Sequence, residues 1–483
     1  MYGLGIVEFH EKVKNGEINL KQYYTQLFDE ALKQQTRLNA FVTITKDFVM
    51  DQLDHFEFDE NDLLSGVPYV AKDNYSTKGI KTTASSRMLE NYRPIFNATV
   101  IERLNQHHCM MIGKASMDEL AMGGTNKSAL TGPVANPYDT SCIAGGSSGG
   151  SAALVASGLV PFTLGSDTGD SIRKPAAFCG VVGFKPTWGR ISRFGVIPYA
   201  SSLDTMGMFT RSVEDAAIVL EAMAGRDHQD MTSSQRAVET YYQNLTSEVN
   251  NQKVAVIQEV YDIISNTSIK ENFDLVIEKL KHQGINVEFV SFHQNLLKAL
   301  LPTYTIIANS EATSNHACLD GVKYGSRQEA STPDQVMINS RTKGFGDHIK
   351  RRFILGNLAL ATENQEKMFR KAQRVRRLIV NELNRIYEKY DIILLPCSGQ
   401  IAPKIDDETE DRLTDEYLIL ENHLILGNFA GCPSITIPSG LVDDMPVGVN
   451  LMGRIFEEQN VLNVAYALEK SLGLKNQFVK GEE

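Results

Sequence analysis

A serine acts as a nucleophile only when a proton acceptor lies within hydrogen-bond reach. This chain concentrates serines in two glycine-rich segments. The first is Ala144-Gly145-Gly146-Ser147-Ser148-Gly149-Gly150-Ser151. Its glycines let the backbone take positive φ and approach a ligand closely. The second runs Gly165-Ser166-Asp167-Thr168-Gly169-Asp170-Ser171-Ile172-Arg173, so that Ser171 follows Ser147 by 24 residues. No Lys closes the first segment in the G-x-x-x-x-G-K-[ST] pattern, which argues against a phosphate-cradling loop. A flexible surface loop is the competing reading. None of the ten His residues lies in either cluster, so the base must be sought elsewhere, and a Ser–Lys arrangement satisfies the need. Lys72 is the candidate, because it ends an apolar strand and precedes Asp73-Asn74. Lys114, after another strand, is its rival. An exposed Lys titrates at about 10.4 and is useless as a base at neutral pH. The chemistry therefore requires burial, and a plain surface charge is the alternative for either lysine.

The elements around these residues follow from periodicity. Leu20, Tyr24, Leu27 and Ala31 form one apolar stripe, so the first forty residues read as helices broken at Asn15-Gly16. Gly66 to Ala71 reads as a short strand, 98–107 as a helix, and Cys109 to Ile112 as a strand closed by Gly113. Ser116-Met117-Asp118-Glu119 fits a capping box opening a further helix. A strand at VAVIQEV, a helix over 267–283 and a strand at VEFVSF make a βαβ pattern. A long helix over 365–390 leads into the buried-strand run 392–396. Strands at Ser434 to Pro438 and Val447 to Met452 and a helix over 457–472 complete the chain. Two glycine-rich loops flanking the apolar stretch Ala152 to Leu164 are expected to converge at one end of a sheet, where open α/β sheets place ligands.

Composition narrows the class. The chain has 483 residues, 42% hydrophobic and 22% charged, which excludes disorder, collagen and coiled coil. No apolar run approaches the roughly 20 residues that span a bilayer, and Met1 to Glu8 lacks the pattern of a secretory signal. Six Cys without a C-x-x-C form neither a disulfide framework nor a zinc site. A cytoplasmic protein is expected. The net charge of −11 argues against a major nucleic-acid surface on this chain. One α/β domain over 1–483 is expected, with a helical segment at 1–60, a half carrying the glycine-rich motifs at 61–240, and a second half at 241–483.

Three motifs, G-V-P-Y-V-A-K-D-N (66–74), G-G-S-S-G-G-S-A-A (145–153) and G-S-D-T-G-D-S-I-R-K-P-A (165–176), together resemble the amidase signature family in order and spacing. The resemblance runs from about Leu64 onward. It implies a large central mixed β-sheet covered by helices on both faces, and a Ser–Ser–Lys triad in place of Ser–His–Asp. Carried onto this chain, Ser171 is the nucleophile, Ser147 the bridging serine after a cis Gly146–Ser147 peptide, and Lys72 the base. Backbone N–H groups of Thr168, Gly169 and Asp170 would form the oxyanion hole, and Asp167 with Arg173 a buried ion pair holding the turn.

Within that family, Tyr304 with S-E-A-T-S-N (310–315), D-G-V-K-Y-G (320–325), S-R-T-K-G-F-G (340–346) and I-K-R-R-F (349–353) resemble the glutaminase components of glutamyl-tRNA(Gln) amidotransferases. By that resemblance Tyr304 and Arg352 bind glutamine, and Glu421, counted back from N-F-A-G (428–431), accepts its α-ammonium. It also implies two partners in the same complex, a tRNA-binding kinase/transamidase component and a small third component. ATP and Mg are expected on the tRNA-binding partner and no cofactor on this chain. Most of the tRNA is left to that partner, and no membrane is involved. A free-standing amidase is the alternative, and a degenerate scaffold is a third reading.

Three departures from the family pattern stand out: Asp170 for a usual Gly, Ala144 for a common Pro, and Glu421 for Asp. Arg370, Lys371, Arg374, Arg376 and Arg377 are expected on a solvated helix face. Cys179 and Cys432 are expected as small core residues.

Overall fold

Local signals start the chain. In this computed structural model, which describes residues 2–407 and 414–479, the Asn19 side chain accepts the N–H of Gln22 and opens the helix Leu20–Leu38. Asn39, at φ 53°, ends it. Tyr24, Leu27 and Ala31 of the expected stripe are fully buried.

Eleven strands follow, numbered in chain order: β1 Phe41–Ile44, β2 Pro68–Lys72, β3 Met110–Ala115, β4 Phe162–Asp167, β5 Val182–Lys185, β6 Thr205–Thr210, β7 Lys253–Ile257, β8 Asn286–Val290, β9 Ile392–Pro396, β10 Ser434–Val442 and β11 Met445–Gly453. They form one sheet in the order β1-β3-β2-β4-β6-β5-β10-β11-β9-β7-β8. The β2 strand runs parallel to β3 and β4, and β7 parallel to β8 and β9. The pairs β4–β6, β5–β6, β5–β10, β10–β11 and β9–β11 are antiparallel. The sheet is therefore mixed, as expected.

Helices cover both faces. On β11, a side chain at Gly448 would meet Ala177 of the helix Arg173–Cys179, whereas one at Gly453 would meet Val461 of the helix Glu458–Leu472. An odd separation along a strand means opposite faces. The βαβ unit forms from β7, the helix Thr267–His282 and β8. Its first strand is shorter than VAVIQEV, because Gln258–Asp262 turns into a helix.

The capping box is a correction. Ser116–Glu119 opens no α-helix, only the 3-10 turn Glu119–Ala121, in which Leu120 lies at φ 52°. The Asp118 carboxylate instead receives the N–H groups of Asn126 and Ser128 and the Ser128 hydroxyl, so its capping capacity is used by a loop. That loop lies against the first glycine-rich segment: a side chain at Gly146 would run into the Asp118 carboxylate.

Arg376 is a second correction. Arg370, Lys371, Arg374 and Arg377 are exposed as expected. Arg376, turned inward on the helix Phe369–Tyr387, instead donates to the Phe429 carbonyl at 3.1 Å and to the Ser202 hydroxyl at 3.1 Å.

Candidate active site

Register decides what the two candidate lysines can do. On the parallel pair β2–β3, Lys72 lies opposite Ala115 and Ala71 opposite Lys114. Neighbouring positions on paired strands face opposite sides of a sheet, so Lys72 and Lys114 point away from each other. Both are fully buried. Lys114 meets a carboxylate, with Asp73 at 3.5 Å, and donates to the Tyr75 carbonyl and Thr82 hydroxyl. It is a structural ion pair.

Lys72 meets no carboxylate among the described residues. Its Nζ lies 2.8 Å from Ser147 Oγ, 2.7 Å from Ser148 Oγ, 2.9 Å from Ser166 Oγ and 3.2 Å from the Ser166 carbonyl. Burial without a contacting counter-charge brings its pKa down to about 7, against the weaker opposing pull of Asp118, Asp167 and Asp204. A substantial neutral fraction therefore exists at neutral pH, and neutral amine nitrogen can take a proton from a serine. Sequence spacing singles out neither Ser148 nor Ser166, although both lie inside the glycine-rich segments.

The first segment reaches Lys72 because it approaches other backbone closely. The fully buried helix Gly149–Ala156 starts just after Ser147 and Ser148, and a side chain at Gly150 would come 2.5 Å from the Ser116 carbonyl and 2.6 Å from that of Ala40. The Gly146–Ser147 peptide is cis. The second segment leaves the end of β4, beside β2, and leads into the helix Arg173–Cys179. The two loops do converge at one end of the sheet: a side chain at Gly145 would touch Pro175.

A buried ion pair holds the second loop. Arg173 Nη2 and Nε lie 3.0 and 3.1 Å from the two Asp167 oxygens, and the guanidinium also donates to the Gly169 carbonyl, the Leu424 carbonyl and Asn428. Burial works against the Asp167 anion, but Arg173 outweighs it and holds the carboxyl at about 2. With the Gly169 carbonyl drawn toward Arg173, the N–H groups of Thr168, Gly169, Asp170 and Ser171 donate to no atom of the described residues. The Thr168 hydroxyl donates to Asp204, which also receives the N–H groups of Tyr199 and Ala200. Ser171 is 4% exposed and its hydroxyl makes no hydrogen bond among the described residues, so no bond joins it to Ser147 in this structure.

Removing one partner of this pair is expected to be severe. Arg173→Met leaves Asp167 buried and uncompensated, which costs about 3–5 kcal/mol at neutral pH. Asp167 is depressed below its unfolded value, so its contribution is complete above about pH 4 and is lost as pH falls through about 2. The deficit of the variant should accordingly shrink on acidification. Urea unfolding at pH 7 and at about pH 2 checks both statements, and an equal deficit at the two pH values contradicts the account.

The second half closes over this loop. Tyr304 lies on Gly169, where an added side chain would come 3.1 Å from its ring, and it meets Tyr199 edge-on at 6.4 Å. Tyr199 in turn donates to Asn309. Arg352, half-buried, donates to the Met122 carbonyl at 3.3 Å and forms no ion pair among the described residues. Its charge favours ionisation of both tyrosines, although burial keeps both phenols above their ordinary range. Tyr304 and Arg352 thus gather beside the Ser171 turn.

Glu421 does not offer the open carboxylate expected of it. Its oxygens are taken by Lys174 at 3.2 Å, by the Ser398 hydroxyl at 2.9 and 3.1 Å, and by the Gly399 N–H at 2.9 Å. Lys174 belongs to the second motif, where spacing to the triad gives it no role. Its position four residues after Asp170 is the available signal, since such spacing aligns charges on a helix. Cys179 and Cys432 are buried, and burial pushes both thiols up, Cys432 to about 11, so neither is a nucleophile.

Comparison with known proteins agrees with this architecture. The amidase family profile matches residues 24–462. The glutamyl-tRNA(Gln) amidotransferase A subunit of Exiguobacterium sibiricum is 40% identical over 472 residues, 97% of this chain and 97% of the relative. That of Caldanaerobacter subterraneus is 39% identical over 490 residues, 100% and 99% of the two chains. The crystal structure of the same component from Thermotoga maritima superposes with TM-score 0.79 at 36% identity, covering 97% of this chain and 94% of that one. The native peptide amidase of Stenotrophomonas maltophilia superposes with TM-score 0.79 at 25% identity, covering 96% of each chain. On sequence and fold together, the chain belongs to the amidase signature family.

Proposed function

We propose that this chain is the glutaminase component of a tRNA-dependent amidotransferase. The observation that carries the reading is a buried, carboxylate-free Lys72 bonded to Ser147, in a chain 40% identical along its length to a relative named for glutamyl-tRNA(Gln) amidotransferase. Neutral Lys72 takes the Ser147 proton as Ser147 takes that of Ser171. The Ser171 oxygen then attacks the side-chain amide carbon of glutamine. The N–H groups of Thr168, Gly169 and Asp170 receive the developing oxyanion, at about 3 kcal/mol for a well-placed donor. Return of the proton through Ser147 expels ammonia and leaves a Ser171 ester. Water attacks that ester with the same relay as base, releasing glutamate and restoring Ser171. Tyr304 packs on the turn, and Arg352 supplies a planar fork for the α-carboxylate.

In this reading the ammonia amidates an activated Glu-tRNA(Gln) or Asp-tRNA(Asn) on a kinase/transamidase partner that holds ATP, Mg and most of the tRNA. A small third component completes the complex in the cytoplasm. A free-standing amidase acting on another small amide is favoured by one observation, the Lys174 ammonium lodged against Glu421. Ammonia release from glutamine, measured with and without the partner components, ATP and charged tRNA, separates the two. Strong stimulation by the complete set is expected. Equal activity alone across varied amides sinks the proposal.

A further inference from the structure

Three ionisable side chains meet beside the Ser171 turn. Lys174 Nζ lies 3.4 Å from Asp170, 3.2 Å from the Glu421 carboxylate and 2.5 Å from the Glu421 carbonyl. The two carboxylates are not equivalent. Glu421 is saturated by Lys174, Ser398 and Gly399 and is 11% exposed. Asp170 has only the longer Lys174 contact, receives no hydrogen bond from another described residue, and is 22% exposed. Two anions against one cation leave the cluster one negative charge in excess. Arg352, across the Tyr304 side, has a positive charge with no ion-pair partner among the described residues.

An α-amino acid carries the complementary pair of charges. We infer that Asp170, rather than Glu421, receives the α-ammonium of the substrate, while Glu421 anchors Lys174 behind it. This rests on the glutaminase reading above. Asp170 directly precedes Ser171 in the chain and directly follows Gly169, the residue on which Tyr304 packs. Burial pushes the Asp170 pKa up, and Lys174, itself anchored to Glu421, works against that by favouring the anion. The residue that replaces the family's usual glycine thereby gains a use: it sets specificity for a zwitterionic amide.

The test compares kcat/KM for glutamine with that for 5-amino-5-oxopentanoate, the same amide without the α-amino group. Wild type, Asp170→Asn and Glu421→Gln are assayed as the full chain, alone and with the partner components, with thermal unfolding as a check on folding. Wild type should prefer glutamine. Asp170→Asn should lower the preference at least about tenfold, mainly through KM, as loss of a charge-assisted hydrogen bond to a ligand does. Glu421→Gln should lower it less. An unchanged preference in Asp170→Asn, or a larger loss in Glu421→Gln, overturns the inference while leaving the glutaminase reading standing. A wild type that hydrolyses the des-amino amide but not glutamine overturns both.

Discussion

Ser171→Ala is expected to lower glutamine hydrolysis by about 10⁴-fold or more, whether or not the partner components are present. Loss of a covalent nucleophile removes the acyl-enzyme route altogether, and what remains is binding plus the oxyanion donors. The hydroxyl is nearly buried and makes no hydrogen bond among the described residues, so its removal leaves no orphaned partner. Stability should change by less than about 1 kcal/mol. Ammonia release and a thermal melt on the same preparation check both halves. Retained activity in a folded Ser171→Ala protein would refute the proposed mechanism, and an absence of activity in both wild type and variant would identify a degenerate scaffold.

Lys72→Met should abolish activity to a similar extent while leaving the fold as stable as before or more so. Wild-type kcat/KM should rise with pH through about 7, because only the neutral amine accepts the Ser147 proton. The residual activity of the variant should lack that limb. Lys72→Arg should also be inactive, since guanidinium does not deprotonate in this range. The stability half follows from linkage. One pKa unit corresponds to about 1.4 kcal/mol, so a lysine brought from about 10.5 to about 7 burdens the fold by several kcal/mol at neutral pH. That burden is complete below about pH 7, because the folded state then also holds the proton. It is relieved as pH rises toward the unfolded value, since the unfolded chain binds more protons in that window. The stability gap between Lys72→Met and wild type should therefore narrow from pH 7 to pH 10. A gap that widens contradicts the assignment of Lys72 as a strained base.

Much of this site is legible in the order of residues. The glycine clusters point to close backbone approach, and Gly150 shows it against the Ser116 and Ala40 carbonyls. Strands and helices with strong periodicity, such as β7, the helix Thr267–His282 and β9, lie where their patterns put them, within a few residues. The errors have local causes. Ser116–Glu119 matches a capping box, yet Asp118 spends its oxygens on the 126–128 loop. Arg376 belongs to a charged run, but one position on a helix turns inward while its neighbours do not.

By itself, then, the sequence determined the candidate reacting groups, their order along the chain and their family, because these depend on residue type and spacing. Residue type and spacing put Lys72 first but left Lys114 as a rival, because both follow apolar strands. Strand register decided that, placing one against serines on one face and the other against Asp73 on the opposite face. Nor could the sequence show that Glu421 is occupied by Lys174 from 247 residues away. Protonation state and charge pairing depend on burial and on contacts between distant segments, and only the packed chain brings those segments together.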